Sequence, residues 1–131
     1  MFRDFDKKEV TKIAEKFNLN FLVLFGSRAT GAARKNSDFD IAYSKKGEMS
    51  YSDEVFLQEE LARLLKVEAK NIDLVNVANA GPLLMRQIAV EGKVLVESKK
   101  NSYDYFVMYA CSRYLDAKFL LNLQKERTEK A

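Results

Sequence analysis

An abrupt change from apolar residues to small and polar ones, followed by paired aspartates, constrains this chain more than any other feature. The apolar run 21–25 (FLVLF) stops at Gly26-Ser27, and segment 38–40 (DFD) leads into a second apolar stretch, 41–43 (IAY). A glycine-hinged turn brings backbone N–H groups close to phosphate oxygens. Carboxylates at i and i+2 on a strand share one face and can hold a divalent cation. The segment therefore predicts two strands that place a phosphate site beside a metal site.

Hydrophobic periodicity along the rest of the chain predicts alternating helices and strands. Apolar residues recur at helical spacing in 7–18, whereas short continuous apolar runs are typical of buried strands. The predicted elements, in chain order, are helix 7–18, strand 20–25, a turn and short helix between 26 and 34, strand 38–44, a helix that starts at Ser52 and runs to about 66, strand 72–77, a helix from Pro82 to about 92, and edge strand 93–97. Together they predict an α/β fold, a small mixed β-sheet with flanking helices.

The last quarter of the chain predicts one long helix. From Ser102 to about Arg127 neither proline nor glycine interrupts the sequence, which predicts a helix of roughly 26 residues and about 40 Å. Its apolar residues cover more than one face, and such a helix rarely completes its burial against one small sheet. We expect region 101–128 to pack on the sheet or to contact a partner, either another protein or a second copy of this chain. The length of 131 residues predicts a single domain, 1–131.

Composition and charge narrow the class of protein. The chain has 22 basic and 19 acidic residues, a net charge of +3 that is too balanced to favour direct nucleic-acid binding. No apolar run is long enough to span a membrane, and segment 1–6 lacks the apolar region of a signal peptide. The single cysteine, Cys111, cannot form an internal disulfide, so we expect a cytoplasmic protein. The absence of histidine excludes His-based acid–base catalysis and His-ligated zinc from this chain.

A third acidic residue, Asp73, is the only acid inside the third predicted strand. Its neighbours Ile72 and Leu74 predict a buried position, where an ionised carboxylate needs a partner or a metal ion. Three carboxylates within about 4 Å of one another repel by several kcal/mol per pair, which a cation relieves. Oxygen-only ligands favour Mg2+, or Mn2+, over zinc. In such a site two ions can clamp the attacking and leaving oxygens while a carboxylate, for which Asp73 is the candidate, takes a proton.

The same pattern has a plainer interpretation. Asp38 would cap a turn, Asp40 would be an ordinary solvent-facing strand residue, and Asp73 would be incidental. By chance Gly-Ser-x10-Asp-x-Asp arises in about one chain in a thousand of this length, which favours the functional interpretation. Arg34 and Lys35 lie close to the motif and are candidates for contact with nucleotide or acceptor. Among residues outside the motif, we expect Arg86 to be a solvated helix residue and Cys111 a small packed side chain.

The string from Gly26 to Asp40 resembles the signature of the DNA polymerase β-type nucleotidyltransferase superfamily, and within it the minimal nucleotidyltransferase (MNT) branch. The small residues that follow Gly26-Ser27 and the serine before Asp38 match that branch closely. The resemblance implies a polymerase β-like fold in which Gly26 and Ser27 bind the nucleotide triphosphate. It also implies that Asp38 and Asp40 hold Mg2+ and that Asp73 completes the carboxylate triad. Arg28 occupies a position that varies in the family, so no catalytic role follows for it.

The resemblance also implies a partner. MNT proteins of this size often act as antitoxins with a HEPN-domain RNase toxin, and they can transfer AMP from ATP to a tyrosine of that toxin. HEPN proteins carry an Arg-x4–6-His motif, and a chain without histidine would be the MNT half of the pair. The implied activity is Mg2+-dependent protein adenylyltransferase. Two alternatives remain open: an antitoxin that neutralises by direct binding with little catalysis, and nucleotidyl transfer to a small molecule such as an aminoglycoside.

Overall fold

A computed structural model describes residues 6–130 of the chain, with helices and strands alternating along the sequence. The helices are α1 (Lys7–Lys16), α2 (Ser27–Thr30), α3 (Tyr51–Leu65), α4 (Pro82–Glu91) and α5 (Ser102–Lys130). The strands are β1 (Leu19–Phe25), β2 (Phe39–Lys45), β3 (Ile72–Asn76) and β4 (Lys93–Glu97), and short 3-10 turns flank β3 at Ala69–Asn71 and Val77–Asn79. The predicted α/β class and element order are confirmed, with boundaries that differ by a few residues at most.

The strands form one mixed four-stranded sheet in the order β3-β2-β1-β4. β1 pairs antiparallel with both β2 and β4, while β2 and β3 run parallel, joined through α3. Two register pairs set the positions of the acidic residues: Phe25 of β1 lies opposite Asp40, and Asp40 lies opposite Asp73. The edge position predicted for β4 is confirmed, and β3 forms the other edge.

Alternation along the strands builds a hydrophobic core on each face of the sheet, as a strand's two-residue period requires. Leu22 and Leu24 of β1 face α1 and α3, and Phe21, Val23 and Phe25 face α4 and α5. Each of these strand residues is nearly inaccessible to solvent. Burial on both faces explains why β1 reads as a continuous apolar run rather than as an alternating one.

Local signals set the helix ends. The Asp6 carboxylate caps α1 by accepting the Lys8 N–H at 2.8 Å, and Pro82 occupies the first turn of α4, where its missing N–H costs nothing. The prediction that Ser52 starts α3 was wrong by two residues. Ser50 is the cap, and its Oγ accepts the Asp53 N–H at 3.1 Å. Ser50 has the extended backbone that a capping residue needs, whereas Ser52 already lies inside the helix.

The long C-terminal helix is confirmed, and it packs on the sheet only through its first part. Phe106 and Ala110 are buried beside α4, whereas Leu115, Phe119 and Leu120 are more than 60% exposed. Cys111 is also exposed, so its predicted role as a packed side chain was wrong. In the described part of the chain, no helix combines the length and the apolar character that crossing a membrane requires.

Candidate active site

The turn after β1 brings the backbone against the first carboxylate of the site. Gly26 has φ +74° and ψ −160°, a conformation essentially restricted to glycine, and its buried Cα faces the Asp40 side chain. A Cβ at this position would overlap Oδ2 of Asp40 and lie 3.0 Å from its Cγ. Ser27 then begins the short helix α2, which ends at Gly31 in the left-handed conformation. The close approach of turn and carboxylate is therefore a consequence of glycine at 26.

Asp40 and Asp73 form a carboxylate pair across the parallel strands β2 and β3. They are register partners, and their carboxyl groups lie close enough to share a hydrogen bond when one of them is protonated. Partial burial, followed by the charge of Asp73, the hydrogen bond with Asp73 and the charges of Asp38 and Glu91, raises the pKa of Asp40 to about 6. The site thus concentrates negative charge that a bound cation would relieve.

Asp38 and Asp73 are exposed, so the buried position predicted for Asp73 was wrong. β3 is an edge strand, which leaves the Asp73 side chain accessible although Ile72 beside it is buried. Asp38 precedes β2 and acts on Asp40 through its charge. Among residues 6–130, no three acidic or cysteine side chains lie close enough together to hold a metal ion by themselves. The described residues therefore present an aspartate pair with a third aspartate nearby.

This donor set suits Mg2+ bound together with a nucleotide. Mg2+ is usually held by one or two carboxylates and substrate phosphates rather than by an all-protein cage. The Asp40–Asp73 pair supplies carboxylate oxygens, and a cation would offset the negative charges of Asp73, Asp38 and Glu91 that, after burial, raise the pKa of Asp40. Asp40 and Asp73, with Asp38 nearby, would hold such an ion together with the substrate phosphates.

Glu91, at the end of α4, is a site residue that the sequence did not predict. Its Oε1 accepts the Gly26 N–H at 2.9 Å, and its charge contributes to the raised pKa of Asp40. Gln87 also donates to Oε1, at 3.2 Å. The contact spans 65 positions, and no local pattern in the sequence relates the two residues.

Arg28 holds the segment between α2 and β2, which contains Arg34 and Lys35, the two residues predicted to contact nucleotide. Nη2 of Arg28 donates to the carbonyls of Ser37 at 2.9 Å and Lys35 at 3.3 Å. The side chains of Arg34 and Lys35 are exposed beside the site, and the Arg34 backbone N–H donates to Ser37 Oγ at 2.8 Å.

Arg86 belongs to a different part of the molecule. Arg86 is an exposed helix residue, as expected, and its guanidinium lies over the ring of Tyr114 in α5, 4.6 Å from the ring centroid. The stacking joins α4 to α5 through an aromatic face, a contact that favours arginine over lysine.

Comparison with known proteins connects this geometry to a family. The family described as "Polymerase beta, Nucleotidyltransferase" matches residues 8–101, which contain the Gly26-Ser27 turn and all three aspartates. The protein adenylyltransferase MntA of Aphanizomenon flos-aquae is 32% identical over 117 residues, which cover 79% of this chain and 72% of that protein. The protein adenylyltransferase MntA of Shewanella oneidensis is 29% identical over 96 residues, covering 73% and 66% respectively.

Solved structures agree on the fold. A chain in a crystal structure of a toxin–antitoxin with AMP-PNP superposes with a TM-score of 0.74 at 23% identity, covering 95% of this chain and 98% of that one. A structure of a tri-AMPylated Shewanella oneidensis HEPN toxin in complex with an MNT antitoxin gives a TM-score of 0.67 at 21% identity, covering 94% and 95%. The resemblance seen in the sequence and the polymerase β-like fold are thereby confirmed. The chain belongs to the polymerase β nucleotidyltransferase family.

Proposed function

We propose that this protein is a protein adenylyltransferase, an antitoxin that transfers AMP from ATP to a tyrosine hydroxyl of a HEPN-domain RNase toxin. The observation that carries the proposal is the Asp40–Asp73 pair, in which Asp40 lies next to the Gly26 turn that precedes α2. Two relatives named as protein adenylyltransferases support this activity. The similarity to a chain from a complex of an AMPylated HEPN toxin with an MNT antitoxin supports the choice of partner.

The transfer itself is a substitution at phosphorus. The tyrosine oxygen of the acceptor attacks the α-phosphorus of ATP, the bond from that phosphorus to the bridging oxygen of the β-phosphate breaks, and pyrophosphate leaves. The hydroxyl proton passes to a carboxylate, for which Asp73 is our candidate. Asp73 is exposed at the sheet edge, so a protein-borne hydroxyl can approach it, and it lies opposite Asp40.

Nucleotide and metal would be held by the two halves of the motif. The turn at Gly26 and Ser27 would contact the triphosphate, with Arg34 and Lys35 exposed nearby to meet phosphate or acceptor. Asp38, Asp40 and Asp73 would hold Mg2+, for which Mn2+ can substitute, and one or two ions fit this chemistry. When bound, Mg2+ neutralises phosphate charge and stabilises the leaving pyrophosphate.

The surface for the toxin would be the exposed part of α5. Leu115, Phe119, Leu120 and Leu121 are each more than 60% exposed, and Leu115 and Phe119, four positions apart, form an exposed stripe along one side of the helix. Apolar side chains repeated at this spacing are typical of a helix that packs on a partner. A second copy of this chain could occupy the same stripe, which sedimentation of the isolated protein would detect. We expect the pair to act in the cytoplasm, without direct binding of nucleic acid or membrane by this chain.

The proposed activity can be tested with α-labelled ATP, Mg2+ and a HEPN-domain protein, sought first in the reading frames that neighbour the gene. We expect label on a tyrosine of that protein with the wild-type chain and none with Asp40→Asn. Asp73→Asn should still bind ATP while losing transfer. Asp53→Asn, an exposed aspartate in the first turn of α3, is the matched control and should transfer AMP normally.

The competing function is neutralisation by contact alone. The exposed stripe on α5 favours it, because binding through that surface needs no catalysis. An Asp38→Asn/Asp40→Asn double variant separates the two functions. If it protects cells from the toxin as well as the wild type does, binding suffices. Loss of protection together with intact toxin binding supports transfer as the neutralising step.

A further inference from the structure

The two aspartates of segment 38–40 are held in different ways. Asp40 lies inside β2 and is paired on both sides, with Phe25 of β1 and Asp73 of β3. Asp38 comes before Phe39, the first residue of β2, and its side chain is exposed. The strand ladder therefore sets the position of Asp40, whereas that of Asp38 depends on the segment that precedes β2.

Arg28 contacts the residues on either side of Asp38. Its Nε and Nη2 donate to the Ser37 carbonyl at 3.2 and 2.9 Å, and its guanidinium lies over the Phe39 ring, 4.5 Å from the centroid. Nη2 also reaches the Lys35 carbonyl at 3.3 Å. One half-buried side chain thus binds the segment before Asp38 and the strand residue after it.

These contacts depend on the shape of arginine. A guanidinium offers several donors in a fixed plane and stacks on an aromatic ring at the same time, which the single ammonium of lysine cannot do. Arg28 also directly follows Gly26-Ser27 in the chain. Its contacts therefore connect the turn expected to bind phosphate to the aspartate expected to bind metal.

We propose that Arg28 is a positioning residue that holds Asp38 at a fixed distance from Gly26-Ser27, so that the Asp38 carboxylate would help to hold a divalent cation bound together with the nucleotide. This inference rests on the proposed function. If Arg28 only stabilised segment 31–38, its loss would change the stability of the protein and leave metal affinity unaffected.

The test measures metal binding in the full chain with AMP-PNP, using Mn2+ and the electron paramagnetic resonance signal of the free ion. Arg28→Lys should weaken Mn2+ binding by roughly 10- to 100-fold, the range for residues that orient metal ligands. The Mg2+ concentration for half-maximal transfer should rise by a similar factor, with the rate restored at high Mg2+. The control, Arg86→Lys, removes a guanidinium stacked on Tyr114 and should leave Mn2+ affinity unchanged.

A second variant distinguishes the loss of the Arg28 contact from misfolding of the chain. Phe39→Leu keeps the carbonyl contacts of Arg28 and removes the ring beneath it, so we expect a smaller loss of Mn2+ affinity in a chain with wild-type circular dichroism. Mn2+ affinity equal to wild type in a folded Arg28→Lys chain overturns the positioning role while leaving the proposed function intact. If the wild-type chain itself binds no Mn2+ with AMP-PNP and transfers no AMP, the proposed function fails, and the positioning role with it.

Discussion

Replacing Gly26 with alanine should destabilise the fold and displace a residue of the site, because the substitution carries two separate free-energy costs. The backbone has φ +74° and ψ −160°, and holding a non-glycine residue in such a region costs about 1–3 kcal/mol. The new Cβ would also overlap the Asp40 carboxylate. Forcing extra atoms into a packed position adds about 1–3 kcal/mol. We expect Gly26→Ala to lower the free energy of unfolding by roughly 2–6 kcal/mol.

Gly47 provides a matched control for the backbone cost alone. It has φ +88° in the loop after β2, and a Cβ there would meet nothing within 4 Å. Gly47→Ala should therefore lower the free energy of unfolding by about 1–2 kcal/mol, the cost of a left-handed conformation. The difference between the two variants reports the collision with Asp40 together with any extra backbone cost at Gly26.

Urea unfolding followed by circular dichroism gives both free energies, and the AMP-transfer assay reports on the site. Because the collision must move Asp40, which lies opposite Asp73, Gly26→Ala should lose transfer even where the chain is folded. Gly47→Ala should transfer AMP at the wild-type rate. The reasoning is refuted if Gly26→Ala unfolds within ~0.5 kcal/mol of Gly47→Ala and transfers AMP normally.

Three further substitutions, all outside the site, have testable outcomes. Tyr43→Phe removes the hydrogen bond to Glu54 (2.6 Å) and should cost about 1–2 kcal/mol in urea unfolding. Burial and Glu54 raise the Tyr43 pKa above that of an unfolded tyrosine, so the protonated hydroxyl contributes fully to the free energy of unfolding below pH ~10. This contribution is lost as the pH rises above ~10. The wild type should lose stability above pH ~10 more steeply than Tyr43→Phe, and parallel profiles would count against this account. Tyr103→Phe, which loses a 3.1 Å bond to the Ile88 carbonyl, should cost about 1 kcal/mol by the same measurement, and unchanged stability would contradict it. Phe119→Glu, on the exposed stripe of α5, should leave the thermal unfolding temperature unchanged and abolish toxin pull-down; retained pull-down would place the partner surface elsewhere.

Much of the fold follows from interactions between residues close together in the chain. The continuous apolar run of β1 predicted a strand buried on both faces, and the helical spacing of apolar residues predicted α1. Gly26 after that run predicted a turn, and the positive φ at Gly26 agrees with it. Such elements can be predicted from the sequence because the backbone alone sets the period at which side chains face one side of a strand or helix.

What the sequence left open was decided by contacts between distant segments. Asp73 looked buried beside Ile72, but successive side chains on a strand face opposite sides and β3 lies at the sheet edge, so the carboxylate is exposed. Likewise, Glu91 reaches the Gly26 N–H across 65 positions because α4 ends beside the turn. The sequence by itself determined the secondary structure and the motif of small residues and aspartates. Only the tertiary structure decided which acids meet and which side chains stay exposed, because sheet register and helix packing bring together residues that no local pattern relates.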